Sequence, residues 1–368
     1  MEFDENINHG DFTMNYDFAM VVGRFQPFQN AHLKLVNFAL EQGKKVIIVL
    51  GSAHSTATVK NPFTAKEREK MIRACFDEAT QERLIFAAVR DYPYNENLWI
   101  AEMQNIANEI LEDRKATMAL VGHFKDKSSY YLNLFPQWKL VNFEAHVHNN
   151  KVLNATDVRA DYFKNKTTGN DTIDNWTRIK ESVPEPVWNY LYDFIDTQTY
   201  KDLLKEFEYI ENYKRDSRYV GMNFAPTFVT TDTLVTALGH VLVVKRGHHP
   251  GRGKLALPGG FLAQGLTLEE NALKELDEET DIKVPKQILQ SNIVGSHVFD
   301  HPDRSLRGRT ITQAFHIELN PNLEDGLPRV KGGDDADRAM WIPIADLRMK
   351  EDEFFEDNFS IIQKFLGF

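Results

Sequence analysis

The sequence predicts an α/β protein made of two unlike domains, a doubly wound parallel-sheet domain followed by an α+β sandwich. Three observations predict it. First, an apolar run, a helical face and a second apolar run fall within about 35 residues, the spacing of a βαβ unit. Second, the pattern changes after about residue 160, and from Thr227 strand-like segments surround one acidic helix. Third, 368 residues is the length of about two to three domains at roughly 150 residues each.

The elements follow in order. The polar start, about 15 residues, reads as a frayed end. Phe18 to Val22 is a buried strand closed by Gly23, and Leu33, Val36 and Leu40 line one helix face after it. Val46 to Leu50 is a second buried strand closed by Gly51-Ser52. Strands are expected again at Leu84 to Val89 and Met118 to Gly122, with helices over Thr64 to Cys75 and Asn97 to Asp113. Pro184 and Pro186 open a charged helical stretch running from Val187 to about Arg215. The second domain then offers strands at Thr227 to Thr231, Val241 to Lys245, Ile293 to Phe299 and Ile311 to Leu319, interrupted by a helix over Thr267 to Glu279.

Composition excludes several classes. Hydrophobic residues at 42% and charged residues at 26% suit a globular chain rather than a disordered one. With 43 Lys and Arg against 54 Asp and Glu, the net charge is −11, so a general nucleic-acid surface is not expected. A lone cysteine, Cys75, makes neither an intramolecular disulfide nor a cysteine zinc site. No apolar run nears the roughly 18 residues of a membrane span, and the acidic start is unlike a signal peptide. A cytoplasmic protein with no membrane partner is expected.

The first chemical signal is Gly23-Arg24-Phe25-Gln26-Pro27-Phe28-Gln29-Asn30-Ala31-His32, a loop between a strand and a helix. Backbone N–H groups and the positive helix end suit a phosphate chain there. Arg24 adds a forked cation, and His32, one turn into the helix, can aim a ring nitrogen at the same place. Gly23-Arg24-Phe25-Gln26-Pro27 is similar to the opening of archaeal-type nicotinamide mononucleotide (NMN) adenylyltransferases, members of the nucleotidylyltransferase superfamily with a Rossmann-like fold. Where that superfamily carries His-x-Gly-His, this chain has Gln29-Asn30-Ala31-His32, keeping the second histidine.

Further segments resemble the same family in the same order. Asn61-Pro62-Phe63-Thr64-Ala65-Lys66-Glu67-Arg68-Glu69-Lys70-Met71 looks like its second helix entry, with Thr64 an N-cap. The resemblance implies that Asn97 and Trp99 receive the nicotinamide ring, and that Gly122 and His123 flank ATP. Asn154-Ala155-Thr156-Asp157-Val158-Arg159 resembles its Ser-x-Thr-x-x-Arg motif, which implies that Thr156 and Arg159 bind ATP phosphates. Gly23, Phe25 and Gln29 join the implied substrate contacts, while Arg24, His32 and Arg159 are implied to offset charge on the leaving phosphate.

The second signal is a helix face. Glu275, Glu278 and Glu279 stand at i, i+3 and i+4, so three carboxylates share one side. Their repulsion is resolved by a divalent cation, and oxygen-only ligands favour Mg²⁺ or Mn²⁺. Gly260 through Ile282 resembles the Nudix box, G-x5-E-x7-R-E-U-x-E-E-x-G-U, where U is a bulky aliphatic. Leu266 replaces its first Glu, Lys274 its Arg and Asp281 its second Gly. The resemblance implies metal ligation by Gly260, Glu275, Glu278 and Glu279, with Glu278 and Glu279 catalytic. Downstream, Arg304, Arg307 and Arg309 resemble the diphosphate clamp of ADP-ribose pyrophosphatases fused to this adenylyltransferase.

Both halves in this order resemble the bacterial bifunctional NMN adenylyltransferase/Nudix hydrolases. The implied domains are 14–195 for adenylyl transfer, 196–216 as a helical linker and 217–368 for the Nudix hydrolase. The implied chemistry is NMN plus ATP to NAD, and Mg²⁺-dependent hydrolysis of ADP-ribose to AMP and ribose 5-phosphate, with Mn²⁺ an alternative metal. Partners are then small nucleotides: ATP, NMN or nicotinate mononucleotide, NAD and ADP-ribose, with a homo-oligomer allowed. An alternative keeps the adenylyltransferase and makes the altered Nudix half a nucleotide-sensing module.

Overall fold

A computed structural model describes residues 15–111, 115–123, 127–144, 155–164, 172–216, 221–320, 326–333 and 336–368. Most of the polar start and Asn154 lie outside the described residues. By its contacts the chain forms two compact units. The first takes the chain to Ala53, Phe63–Arg90 and Trp99–Ile195; the second takes His54–Pro62, Asp91–Leu98 and Asp196–Phe368.

The first unit is built on a parallel sheet. Its strands are β1 (Tyr16–Gly23), β2 (Gly43–Leu50), β3 (Leu84–Ala88), β4 (Met118–Gly122) and β5 (Lys139–Asn142), ordered β3-β2-β1-β4-β5. Every pairing is parallel. Parallel strands are buried on both faces, which is why β2 and β4 read as unbroken apolar runs. Met20, Ile47, Val49, Met118 and Leu120 form one side of the core. The chain steps from β1 out to β3 and then returns to the other side of β1. That reversal opens a crevice at the carboxyl ends of β1 and β4, where Gly23 and Gly122 lie.

The single helix expected from Val187 to Arg215 is two, Glu185–Phe194 and Gln198–Lys214. Thr197 divides them: its hydroxyl accepts the Tyr200 N–H at 3.2 Å, capping the second helix. That second helix, inside the segment expected as a linker, clusters with the second unit.

The second unit is a mixed sheet. It contains β6 (Thr227–Ala237), β7 (His240–Arg246), β8 (Leu255–Ala256), β9 (Gly259–Phe261), β10 (Ile293–Phe299), β11 (Arg309–Leu319) and β12 (Ala336–Pro343). The order is β10-β11-β6-β7-β12, with β8 on β7 and β9 on β6; β6 and β11 are parallel. Period-two alternation sends Val235, Leu242 and Val244 to one face and Leu234, Val241 and Val243 to the other. The helix Leu268–Thr280 covers the first face through Leu273 and Leu276. The second is covered by Phe359, Ile361 and Ile362 of the helix Asn358–Leu366, an element the sequence reading did not identify.

Candidate active sites

At the end of β1 the loop is held from several sides. Gln26 clasps the backbone of Phe63, its amide donating to the carbonyl at 2.8 Å and its oxygen accepting the N–H at 3.0 Å. Buried Arg159 donates to the Gln26 carbonyl at 2.6 Å and to the Thr156 hydroxyl at 3.2 Å. Phe25 adopts a left-handed φ of 49°, and its ring lies across Gly23, where a Cβ would stand 2.8 Å from Cζ. A side chain at position 23 would push that ring out, so the glycine is required by close approach.

His32 sits in the first turn of the helix Asn30–Gln42. The Gln29 N–H donates to its Nδ1 at 3.1 Å, so Nδ1 is the acceptor and the neutral ring carries its proton on Nε2. The Phe25 ring meets it edge-on at 5.0 Å. Gln29 itself is buried, and its Nε2 has no hydrogen-bond partner among the described residues. A buried amide nitrogen without an acceptor is costly, and an anionic oxygen satisfies it. Arg24 is exposed beside these groups. Burial, and then the charge of Arg24, lower Arg159 to about 10. Two guanidiniums that disfavour each other mark a place for an anion.

Gly122 ends β4, and a Cβ there would stand 2.5 Å from Leu132, so packing fixes it as glycine. His123 follows, exposed, with Nδ1 2.8 Å from the Phe143 carbonyl oxygen. Trp99 is half-buried against Tyr131 and Phe135, with ring centroids at 5.9 and 5.7 Å. Asn97, exposed in the first turn of the helix Glu96–Ile110, clusters with the second unit.

In the second unit the helix Leu268–Thr280 opens with a reciprocal cap between Thr267 and Glu270. Asn271 ties it to the sheet, accepting the Ala263 N–H at 2.9 Å and donating to the Thr231 hydroxyl at 2.8 Å. Asp281 closes it in the left-handed conformation, φ 41°, which glycine adopts more easily.

Strand β9 runs beside this helix, pairing Gly259 with Asp232 and Gly260 with Thr231. The Gly259 N–H donates to Glu279 at 3.0 Å. A Cβ on Gly260 would stand 2.5 Å from a Glu275 oxygen, so this glycine lets the carboxylate lie against the strand. Burial pushes the Glu279 carboxyl up to about 7. Glu278 is exposed, and Lys274 holds it: its ammonium donates to Glu278 at 2.5 Å and to Glu275 at 3.3 Å. Among the described residues no three His, Cys, Asp or Glu side chains are grouped closely enough to hold a metal ion. The shared helix face therefore does not close by itself, because like carboxylates repel and Lys274 occupies two of them. The donors nonetheless fit a hard divalent cation, since Glu279 is a buried carboxylate whose charge needs compensation. Gly260, Glu275, Glu278 and Glu279 are the residues that would hold it.

The three downstream arginines meet different acidic partners. Arg304 is buried, its fork closed on Asp357 at 2.9 and 3.0 Å, with Asp232 3.7 Å away. Arg307 lies 5.3 Å over the Phe261 ring and 3.7 Å from Glu356. Arg309 is turned to Asp300, donating to its carbonyl at 2.5 Å. Acidic partners spread over the fold capture each guanidinium, and the sequence spacing of the arginines does not reveal them. The same blindness hid Asp232, whose carboxyl is raised chiefly by burial and accepts the Thr312 hydroxyl at 2.7 Å.

A phosphate-suited loop at the switch point of a parallel sheet, and a carboxylate helix against a mixed sheet, define a nucleotidyltransferase joined to a Nudix domain. The Cytidylyltransferase-like family matches residues 20–126 and the NUDIX domain family residues 227–365. The nicotinamide/nicotinic acid mononucleotide adenylyltransferase of Acinetobacter baylyi is 38% identical over 192 residues, 52% of this chain and 94% of that protein. The ADP-ribose pyrophosphatase of Methanocaldococcus jannaschii is 32% identical over 134 residues, 36% of this chain and 72% of that protein. A crystal structure of a bifunctional NMN adenylyltransferase/ADP ribose pyrophosphatase from Francisella tularensis, complexed with AMP and a manganese ion, superposes with TM-score 0.84 at 34% identity. It covers 96% of this chain and 99% of that one. The chain belongs to the family of bifunctional NMN adenylyltransferase/ADP-ribose pyrophosphatases. Among the described residues no helix is long and apolar enough to cross a membrane.

Proposed function

We propose that this chain makes NAD from NMN and ATP, or the deamido product from nicotinate mononucleotide, and separately hydrolyses ADP-ribose to AMP and ribose 5-phosphate. In the first reaction a 5′-phosphate oxygen of the mononucleotide attacks the α-phosphorus of ATP. A P–O bond forms there, and the bond to the α,β-bridging oxygen breaks with its electron pair leaving on pyrophosphate. No side-chain nucleophile is needed, so the protein works by positioning and charge. Arg24 and Arg159 hold phosphate oxygens, Nε2–H of His32 donates to the leaving phosphate, and the buried Gln29 amide donates alongside. The observation that carries this reading is the unpartnered Gln29 nitrogen in a loop flanked by two guanidiniums and an oriented imidazole.

In the second reaction water adds to one phosphorus of the diphosphate and the bridging P–O bond breaks. A divalent cation held by Gly260, Glu275, Glu278 and Glu279 would neutralise charge and activate that water. Glu279, anchored by the Gly259 N–H, and Glu275, seated against Gly260, are the fixed carboxylates; Glu278 joins them when Lys274 turns away. The sensing-module alternative is not favoured, because relatives of both the half and the whole chain are named pyrophosphatases. We place adenylyl transfer in 14–195 and hydrolysis in 217–368, and both in the cytoplasm, on the acidic composition and single cysteine. Product analysis tests the reading. NMN with ATP and Mg²⁺ yields NAD and pyrophosphate, and ADP-ribose with Mn²⁺ yields AMP until the metal is chelated. Failure of either product under either metal removes that half of the proposal.

A further inference from the structure

Arg68 is fully buried, a cation inside the first unit. It lies on the helix Ala65–Arg73 with Met71 and Ile72, on the face turned to the core. Burying a guanidinium is costly unless its donors are satisfied. Here they are satisfied by main-chain carbonyls from three places in the chain. Nη1 donates to the carbonyls of Arg24 and Gly51, both at 2.7 Å; Nη2 donates to Ser52 at 3.4 Å and Nε to Thr64 at 3.3 Å.

The two short bonds have something in common. Each carbonyl belongs to the residue just before a left-handed non-glycine residue: Phe25, φ 49°, follows Arg24, and Ser52, φ 49°, follows Gly51. Such conformations are strained and persist where surroundings fix them. Both turns stand at the carboxyl ends of neighbouring strands, β1 and β2, where the Gly51 N–H also donates to the Gly23 carbonyl at 3.0 Å. A trans peptide sets C=O and the following N–H in opposite directions. By binding the two carbonyls, Arg68 turns the N–H groups of Phe25 and Ser52 the other way and fixes the backbone that carries Arg24.

We propose that Arg68 is a positioning residue for adenylyl transfer, one guanidinium that holds two strained turns of the phosphate crevice in register. It touches neither substrate and acts through the Arg24 backbone. The inference rests on the adenylyltransferase reading, so the wild type must first form NAD; if it does not, that reading fails and the Arg68 variants are silent on it. Lysine keeps the charge but not the fork, and cannot bind all these carbonyls in one plane. Arg68→Lys is expected to lower kcat for NAD formation by ~10²-fold, the effect of misplacing reacting groups by about 1 Å. KM values should stay within about threefold, and hydrolysis of ADP-ribose by the same preparation should be unchanged. Because Arg68 acts in part through the backbone that carries Arg24, the double variant Arg24→Ala/Arg68→Lys should lose less than the product of the two single losses. If Arg68→Lys unfolds, adding Ser52→Gly relaxes one turn, and the same kcat reading is made on that pair. A wild-type kcat in a folded lysine variant, an effect on KM alone, or losses that multiply in the double variant would overturn the proposal.

Discussion

The phosphate loop of the first unit and the carboxylate helix of the second solve opposite electrostatic problems in opposite ways. The loop gathers cations and donors for an anion, and bonds within the chain already fix it: Arg68 and Arg159 on its carbonyls, Gln26 on Phe63, and the Gln29 N–H on His32. The helix gathers anions for a cation, and part of it is held by a substitute, with the Lys274 ammonium on Glu278 and Glu275. Peptide groups are neutral, so carbonyls and N–H groups can be packed tightly around a guanidinium. Carboxylates cannot be packed around one another without a counter-charge. The difference teaches that an anion site can be organised in advance by backbone, whereas a cation site is completed by its ion.

The largest expected effect breaks the carboxylate side alone. Glu279→Gln, and separately Glu278→Gln, removes one negative charge at nearly constant volume. ADP-ribose hydrolysis, followed as AMP release, should fall by ~10³-fold, while NAD formation is untouched. A parallel loss of NAD formation would mean that the two regions are not electrostatically separate. Next, His32→Ala should lower kcat for NAD formation by ~10²-fold with a smaller change in KM for NMN, since its donor bond strengthens as charge leaves on pyrophosphate. Steady-state kinetics with unchanged kcat would take His32 out of the mechanism.

A smaller gain is expected from repairing the helix. Leu266→Glu with Lys274→Arg restores the two family positions that brace the carboxylates and replaces the point charge on Glu278 with a planar fork. Hydrolysis should rise by about tenfold, the usual size of a supporting contact around a metal ligand. An unchanged rate would show that Lys274 is not what limits this helix.

The smallest effect concerns pH. Glu279 stands at about 7, above the ordinary carboxylate value of 4.5, so between those two values the folded protein binds more protons than the unfolded chain. Stability of the metal-free protein is therefore fullest below about 4.5 as far as this group is concerned, and is lost as pH rises through 7. Melting of the chelated protein should drop by a few degrees between pH 5 and pH 8, and Mn²⁺ should cancel the drop at pH 8. A chelated protein that melts higher at pH 8 than at pH 5 would contradict the burial of this carboxyl without a counter-charge.

The sequence by itself determined a good deal. Apolar runs at Phe18–Val22 and Val46–Leu50, with one helical face between them, specified a parallel βαβ unit, because strands buried on both sides must be apolar throughout. Glu275, Glu278 and Glu279 shared a helix face by arithmetic, and the left-handed cap at Asp281 stands where the family pattern has glycine. Local chemistry is legible when neighbours in sequence are neighbours in space. The division at Thr197 was less legible, since one hydroxyl decides between continuing a helix and capping the next. Only the tertiary structure decided which charges are free to act. Three arginines within six residues looked like one clamp, yet Asp357, Glu356 and Asp300 each hold a different one. Arg68 stood in the sequence only as one residue of a helix entry, yet it is buried under carbonyls 16 to 44 residues away along the chain. Long side chains reach several ångströms, and a folded chain offers them partners that spacing cannot rank. Where a guanidinium or carboxylate ends up is therefore set by long-range packing, whereas the face from which it starts is set by local periodicity.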